Sequence, residues 1–598
     1  MQFKRFNKIK RPAHLGLMAW CTLAALSTTM VVPVRAAETL SAEATGTAGW
    51  GLESNWEGGG VPGSTDDVTI DRSHGSTASA LALNGNQSAR SLTFGSASGE
   101  PLGAFAIVAN NTGTTSRVLS LTNGTLAVTS SVTGAIIIGN HSGDAGVLTL
   151  DLGSGTGNSA WTVATGKSLI VDANITGSGG IQISGGGAVT LSGANTFGTA
   201  GVQVNSGGNL NINSAGALGG GRLTFYNGSV IDNTSGGALS VTVGEHVHGF
   251  GNLRFSGSND LTLGGGWWLL GKQNRVFQID AGTLTINQRM GDDYFGTDGG
   301  VTKTGGGTLV LGATNNTYGG TGGTTITEGV LSVARLANGG VESSIGKSSG
   351  AAGNLTFNGG TLKYTGGDVV TDRAFTINSG KTAVIDTAHD LTLAGATGTA
   401  TSGALRKIGE GVLTLSGKSL YTGETTVAAG TLLLSGAGEI NSTSNVTVAS
   451  GAAFINDSAT SFTRTLTLGE GGSLGGTGEF APTAVTVTAD LSDGFGTIAL
   501  GDHFTRATPL ELALGGIAVG TYTLFSGSVT DAFTLVTIGG VTLSDTGGGN
   551  FSGEIGAFSY QFTNSTSELS VAAIPEPRAL AFIGLGLGAL LASRRRRH

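Results

Sequence analysis

The chain has 598 residues, of which 107 are glycine and only 8 proline, with 39% hydrophobic and 12% charged residues and a formal net charge of −8. So little charge beside moderate hydrophobicity excludes a disordered polyampholyte, and glycine without a strict three-residue period excludes collagen. The single cysteine, Cys21, lies in the N-terminal apolar segment, so a processed chain has no disulfide, thiolate nucleophile or cysteine-ligated metal.

In chain order, Lys4, Arg5, Lys8, Lys10 and Arg11 precede an apolar run from Leu15 to Val32, which ends in Val34-Arg35-Ala36 and then Ala37. A positive stretch, a short apolar core and small residues at a cut describe a secretory signal peptide over residues 1–36, cleaved between Ala36 and Ala37. Trp20 stands where a lipoprotein box needs a small residue before Cys21. The leader holds six Lys and Arg and no acid, so without it the charge becomes −14. Without Arg578 and the four terminal arginines as well it falls to −19, no basic cluster remains to draw in a phosphate backbone, and no nucleic-acid partner is expected.

Residues 37–75, with Trp50 and Trp56, are the expected N-terminal cap. No proline interrupts the stretch between Pro101 and Pro482, as one continuous sheet system requires, because proline removes a ladder donor. From 76 to 479 the recurrent unit is Gly-x-apolar-x-apolar. It occurs as Gly124-Thr-Leu126-Ala-Val128, Gly282-Thr-Leu284-Thr-Ile286, Gly307-Thr-Leu309-Val-Leu311, Gly329-Val-Leu331-Ser-Val333, Gly411-Val-Leu413-Thr-Leu415 and Gly430-Thr-Leu432-Leu-Leu434. Alternation at period two puts the leucines on one strand face and Thr or Ser on the other. One such strand every 19–24 residues marks a solenoid, in which each turn lays its leucines over those of the turn before. At about 20 residues per turn this predicts on the order of 20 coils, about 100 Å long.

A longer motif overlies this unit. Gly409-Glu-Gly411-Val-Leu413-Thr-Leu415 runs into Tyr421 and Gly430-Thr-Leu432, and Gly305-Gly-Gly307-Thr-Leu309-Val-Leu311 runs into Asn316-Thr-Tyr318 and Gly329-Val-Leu331. A weaker copy is Gly185-Gly-Gly187-Ala-Val189-Thr-Leu191, followed by Asn195-Thr-Phe197. These three resemble the autotransporter-associated β-strand repeat; Ser419-Leu420 in place of Asn-Thr, and extra glycines over 319–323, are the departures. The stretch from Trp50 to Ile70 resembles the opening segment of such proteins. The resemblance implies an all-β, right-handed parallel β-helix of passenger type.

Several residues along this body could carry chemistry. Glu245-His246-Val-His248 sets two histidines on one strand face, a possible metal pair without a third ligand near in sequence. Of Trp267-Trp268, adjacent on a strand, one faces out and could stack a sugar while the other packs inward. Asp292, Asp293 and Asp298 in a glycine-rich loop suit a turn or a Ca²⁺ ion, and Arg289, Asp292, Asp293 and Tyr294 form the best candidate for glycan cleavage. Gly346-Lys-Ser348-Ser-Gly350 matches GxSxG without a strand-turn-helix context, and Lys167, Lys347, Lys381 and Lys418 lack the upstream glycine of a phosphate loop. No catalytic residue, metal or cofactor is assigned on these grounds.

Residues 480–573 are richer in aromatics and less regularly spaced, and predict a separate antiparallel or capping β segment. Pro575-Glu576-Pro577, an apolar stretch from 579 to 592, and Arg594, Arg595, Arg596 and Arg597 complete the chain over 574–598. This order resembles the PEP-CTERM sorting signal. It implies a transmembrane helix that anchors the precursor in the inner membrane, an exosortase-type processing enzyme as partner, and delivery to the surface or matrix of a Gram-negative-type cell. Four arginines would hold that end inside. No translocator barrel is recognised, so the chain reads as passenger-like without one. The expected function is a structural or adhesive protein of the cell surface or extracellular matrix, with surface polysaccharide as a possible partner. The alternative is a polysaccharide lyase or hydrolase on the same fold.

Overall fold

A computed structural model describes residues 38–575, apart from 42–43, 58–59, 73, 96–100, 110–114, 140–145, 292–298, 320–321 and 528–530. The expected signal peptide with Ala36 and Ala37, the membrane helix over 579–592, and Glu576, Pro577 and Arg594 to Arg597 all lie outside the described residues; Pro575 is their exposed last member. Among the described residues no helix is long and apolar enough to cross a membrane. The helical turns there are the short 3₁₀ segments Glu53–Asn55 and Ala352–Asn354.

The described chain winds into a parallel β-solenoid of about 19 turns. Four parallel stacks carry it. Sheet I runs from Glu38–Thr39 to Arg289–Gly291, sheet II from Thr45–Gly49 to Thr376–Ile377, sheet III from Leu239–Thr242 to Leu535–Ile538, where Val541–Thr542 adds an antiparallel edge, and sheet IV from Val369–Thr371 to Phe525–Ser526. The stacks hand over along the axis. Sheets I and II carry the first coils, sheet III joins them at 239, sheet I stops at 291, and sheets III and IV carry the last coils. At any height the remaining part of the coil is a turn without a strand.

The leucine alternation sets the register. In sheet III, Leu261, Leu284, Leu309, Leu331, Leu362 and Ile385 are successive in-register partners, and all are fully buried. Sheet IV repeats the pattern with Leu391, Leu413, Leu432, Phe454 and Leu474. A single coil cannot cover its own leucine, whereas a stack covers each from both sides, worth about 1.5–3 kcal/mol per side chain. Where a strand crosses a corner, glycine allows the bend. Arg117–Val128 pairs through its first half with Leu148–Asp151 and through its second with Asn158–Val163, and Gly124 between the halves has φ +59°.

Both ends are closed by aromatics. Trp50 and Trp56 are buried in the first coil, edge to face at 5.2 Å, and Trp56 Nε1 donates to the Trp50 carbonyl at 2.8 Å. Glu38–Thr39 and Thr45–Gly49 already pair in parallel with the next coil, so the expected cap region includes the first coil itself. At the other end the expected boundary at 480 falls inside the solenoid. Val485–Ala489, Pro509–Leu514 and Leu535–Ile538 continue sheet III in parallel. Val485 and Val487, then Leu510 and Leu512, then Val536 and Ile538 are the stacked rungs of these coils, where the preceding glycine of the repeat lapses. The antiparallel part is sheet V, made of Gly520–Thr523 with the four strands between Ser544 and Ala573. Arg506 joins it to the last coils: its guanidinium lies 5.4 Å from the Phe525 ring centre and 5.6 Å from that of Phe533, and donates to Ser567 Oγ at 2.8 Å.

Candidate functional site

The residues that define the repeat point inward, at the corners. Lys303 is the last inward residue of the sheet II strand Gly300–Thr304, with no exposed surface, and its Nζ donates to the carbonyls of Thr304 (2.8 Å), Gly305 (2.7 Å) and Glu328 (3.1 Å). Lys407, on sheet III, repeats the cage on Ile408 (3.0 Å), Gly409 (2.7 Å) and Ala429 (3.2 Å). Burial pulls both ammonium groups down to about 8, against the weaker pull of Glu328 and Asp280 on the first and of Asp386 and Glu410 on the second. Each cage forms where the chain turns through a positive-φ glycine, Gly305 or Gly409, whose carbonyl the lysine satisfies.

The Asn-Thr-Tyr segment occupies the strandless corner. Asn316 Oδ1 accepts from the Met290 N–H of the coil before (2.7 Å), and its Nδ2 donates to the Ser344 carbonyl of the coil after (2.8 Å). Asn195 does the same between Ile175 N–H (2.8 Å) and Ala217 C=O (2.7 Å). The side-chain amide thus stands in for a ladder rung where no strand exists. Beside it the Tyr318 hydroxyl meets Thr324 Oγ1 at 3.1 Å, and that of Tyr421 meets Thr425 Oγ1 at 2.8 Å. In the weaker copy Phe197 precedes the apolar Val202 at the same strand start, and Ile183 holds the lysine position. These residues build the frame and are closed to ligands.

Candidate chemistry therefore lies on the outer faces. On sheet I, His246 and His248 share the outer side of one strand, rings parallel within 11° and centres 6.3 Å apart. Trp267 is the outward tryptophan, 38% exposed, and Trp268 is buried at 1%. His246, Trp267 and Arg289 are register partners on successive coils, and the Arg289 guanidinium sits 4.8 Å from the Trp267 ring centre. Arg289 is held there by the Asn315 carbonyl (2.9 Å) and Glu342 (3.0 Å). Tyr226 and Phe250 extend the patch, 6.0 Å apart. Burial is the main cause that lowers the His248 pKa, with Arg222 and then His246 adding to it.

Asp292, Asp293, Tyr294 and Asp298 lie outside the described residues, so of the proposed cleavage group only Arg289 is placed, against Trp267. Among the described residues no group of three His, Cys, Asp or Glu is close enough to hold a metal ion. Ser348 of the GxSxG match is 2% exposed, and its hydroxyl accepts from Arg373 Nη1 at 3.1 Å. Lys418 pairs with Glu439 at 3.1 Å. The sequence reading overlooked the caged lysines. Their signal was present: Lys303 and Lys407 each stand two residues before a Gly-x-Gly corner.

The Passenger-associated-transport-repeat family matches residues 301–333 and 405–434, the two copies with a caged lysine and a Tyr–Thr pair. A segment is 38% identical over 216 residues to the adhesin BmaC autotransporter of Brucella suis biovar 1 (strain 1330). That match covers 33% of this chain and 6% of the adhesin, so the chain spans a small part of its relative's length. No solved structure matches the chain.

Proposed function

We propose that this protein is an exported, surface-located β-solenoid with a structural and adhesive role. The observation that carries the reading is the union of an in-register parallel solenoid with passenger-type repeats and a segment similar to an adhesin. A long stiff rod with its specific residues turned inward leaves extended, sparsely charged outer faces free for contact. In the finer form of the proposal the coil is right-handed, as parallel crossovers nearly always are. The leader is cut between Ala36 and Ala37, and an exosortase-type enzyme acts at Pro575, Glu576 and Pro577 while the 579–592 segment and Arg594 to Arg597 hold the precursor in the membrane.

Two experiments test it. Cells that express the full chain are fractionated beside cells that express a form without residues 575–598. The proposal expects surface retention to be lost in the second, and equal distribution would refute the sorting step. Deletion of the whole protein is expected to reduce attachment to surfaces or matrix. Depolymerisation of a polysaccharide by the purified chain would instead establish the glycan-cleaving alternative.

A further inference from the structure

Sheet III carries a groove on its outer face that the repeat motif does not explain. Across four coils the outward positions Ala449, Gly469, Thr488 and Ala513 lie side by side, the last three as register partners. Their small side chains form the floor. One bank is the column Thr447, Thr467, Thr486 and Glu511, again in register, with the Glu511 carboxylate already taken by the Thr537 hydroxyl and the Gly540 N–H. The opposite bank presents Ser450, Glu470 and Asp490 on successive coils. The cavity is about 510 Å³ and runs parallel to the solenoid axis, within the size range of small-ligand sites.

The chemistry of the banks is one-sided. No lysine or arginine lines the cavity, while Glu470 and Asp490 do. The Ser492 hydroxyl and N–H hold the Asp490 carboxyl below the usual range, so it stays ionised. Glu470 Oε2 is buried in the wall of the groove without a donor among the described residues, so a ligand meets this carboxylate at its other oxygen. Coils repeat at about 4.8 Å, so the groove offers three threonine hydroxyls on one bank, a floor of small residues and an anionic bank in steps of that length. A hexose is about as long as one coil is high. A sugar chain laid along the axis can repeat its contacts from coil to coil, with ring C–H groups on the floor and amino groups at the carboxylates.

We propose that this groove binds a linear glycan of amino sugars, extended along the solenoid axis with its ammonium groups on Glu470 and Asp490. The proposal gives a ligand class to the adhesive reading above and rests on that reading only for its biological use. The test uses the purified full chain and a fully deacetylated glucosamine tetramer, titrated calorimetrically at pH 6, where the amines are protonated. Its N-acetylated counterpart and a uronic acid tetramer are run beside it. Binding of the amino tetramer alone is expected. Glu470→Gln with Asp490→Asn, which keeps the Ser492 turn acceptor, should weaken it at least tenfold, and Ala513→Phe, which fills the exposed floor, should do the same with every charge intact. Because the whole chain is acidic, Asp502→Asn with Asp531→Asn serves as the charge control and should leave binding unchanged. Equal binding of the neutral tetramer, an equal loss in the control, or undiminished binding by Ala513→Phe would each overturn the proposal. None of these outcomes depends on where the protein is located, which fractionation reads separately.

Discussion

The two repeats at 301–333 and 405–434 and the weaker copy over 181–212 build the same corner from opposite chemistries. In the first two, a buried ammonium ties three carbonyls together and a tyrosine hydroxyl meets a threonine. In the third, Ile183 and the Phe197–Val202 pair are apolar, and the freed turn is held from outside, with Thr165 Oγ1 on the Gly185 carbonyl (3.3 Å) and Asn209 on Gly186 (2.9 Å). The asparagine clamp occurs in one copy of each kind, at Asn316 and at Asn195, while the 405–434 copy has Ser419 in its place. The repeat's residues therefore specify a way of closing a strandless corner, and the outer surface is free to vary around it. The two matched copies are those with the lysine and the tyrosine, and the third, which has Ile183 and Phe197 instead, lies outside the matched residues.

The comparison breaks most sharply at the lysines. Lys303→Ala or Lys407→Ala leaves three corner carbonyls without their donor and opens a cavity, an expected local loss of about 3–5 kcal/mol. Ile183→Ala removes packing alone and should cost less, about 2–4 kcal/mol. Hydrogen exchange read on peptides from each copy checks this, since coils in a solenoid open locally. Equal losses in all three copies would show that the cages add nothing beyond packing.

Acidity separates the copies next. The lysines titrate near 8 when folded and near 10.5 when free, so between those values the folded state binds fewer protons. Stability of the two polar copies should rise through that window, by up to about 3 kcal/mol per lysine. Tyr318 and Tyr421 act with the opposite sign. Burial raises them well above the ordinary value of 10.0, so their contribution is whole below pH 10 and fades as pH climbs beyond it. The polar copies should thus be firmest near pH 10, while the Ile183 copy stays flat. Exchange at several pH values, corrected for the intrinsic rate, reads the difference, and Lys303→Met should abolish the rise in its own copy.

The shared clamp sharpens the comparison from the other side. Asn316→Ala strands the Met290 N–H and the Ser344 carbonyl, and Asn195→Ala strands the equivalent pair at Ile175 and Ala217. Both should cost about 2 kcal/mol, whichever corner chemistry surrounds them. Unequal costs would mean that the clamp and the cage support each other.

What could be read from the sequence follows the same division. Period-two alternation makes Leu284, Leu309 and Leu331 inward partners, puts the two tryptophans at 267 and 268 on opposite sides without saying which is outside, and puts His246 and His248 on one side, because these depend only on strand geometry. The corners are not periodic. Lys303 has the composition of a surface residue, and only a three-dimensional turn that gathers carbonyls makes it an interior one. The handover between sheets does not follow coil length, since three-stranded coils are no longer than two-stranded ones. The solenoid continues past 480 because Val485, Val487 and Val536 pack as rungs without the glycine that announces them elsewhere. The groove at Ala449 and Ala513 was equally silent, since it is made by small side chains four coils deep.

The finest distinction is the Tyr–Thr pair, and a mutant cycle at Tyr318 and Thr324 isolates it. Tyr318→Phe removes the hydroxyl and leaves Thr324 Oγ1 only its long 3.5 Å contact with the Ile345 carbonyl. Thr324→Val alone buries the tyrosine hydroxyl beside a methyl group. Each single change should cost about 1 kcal/mol, because a buried polar group loses its partner. The double change recreates the Phe–Val pairing that the chain already uses at 197 and 202, so it should cost less than the sum, with a coupling of about 0.5–1.5 kcal/mol. If the two costs simply add, the hydroxyl pair is incidental and the polar and apolar corners differ only through their lysines.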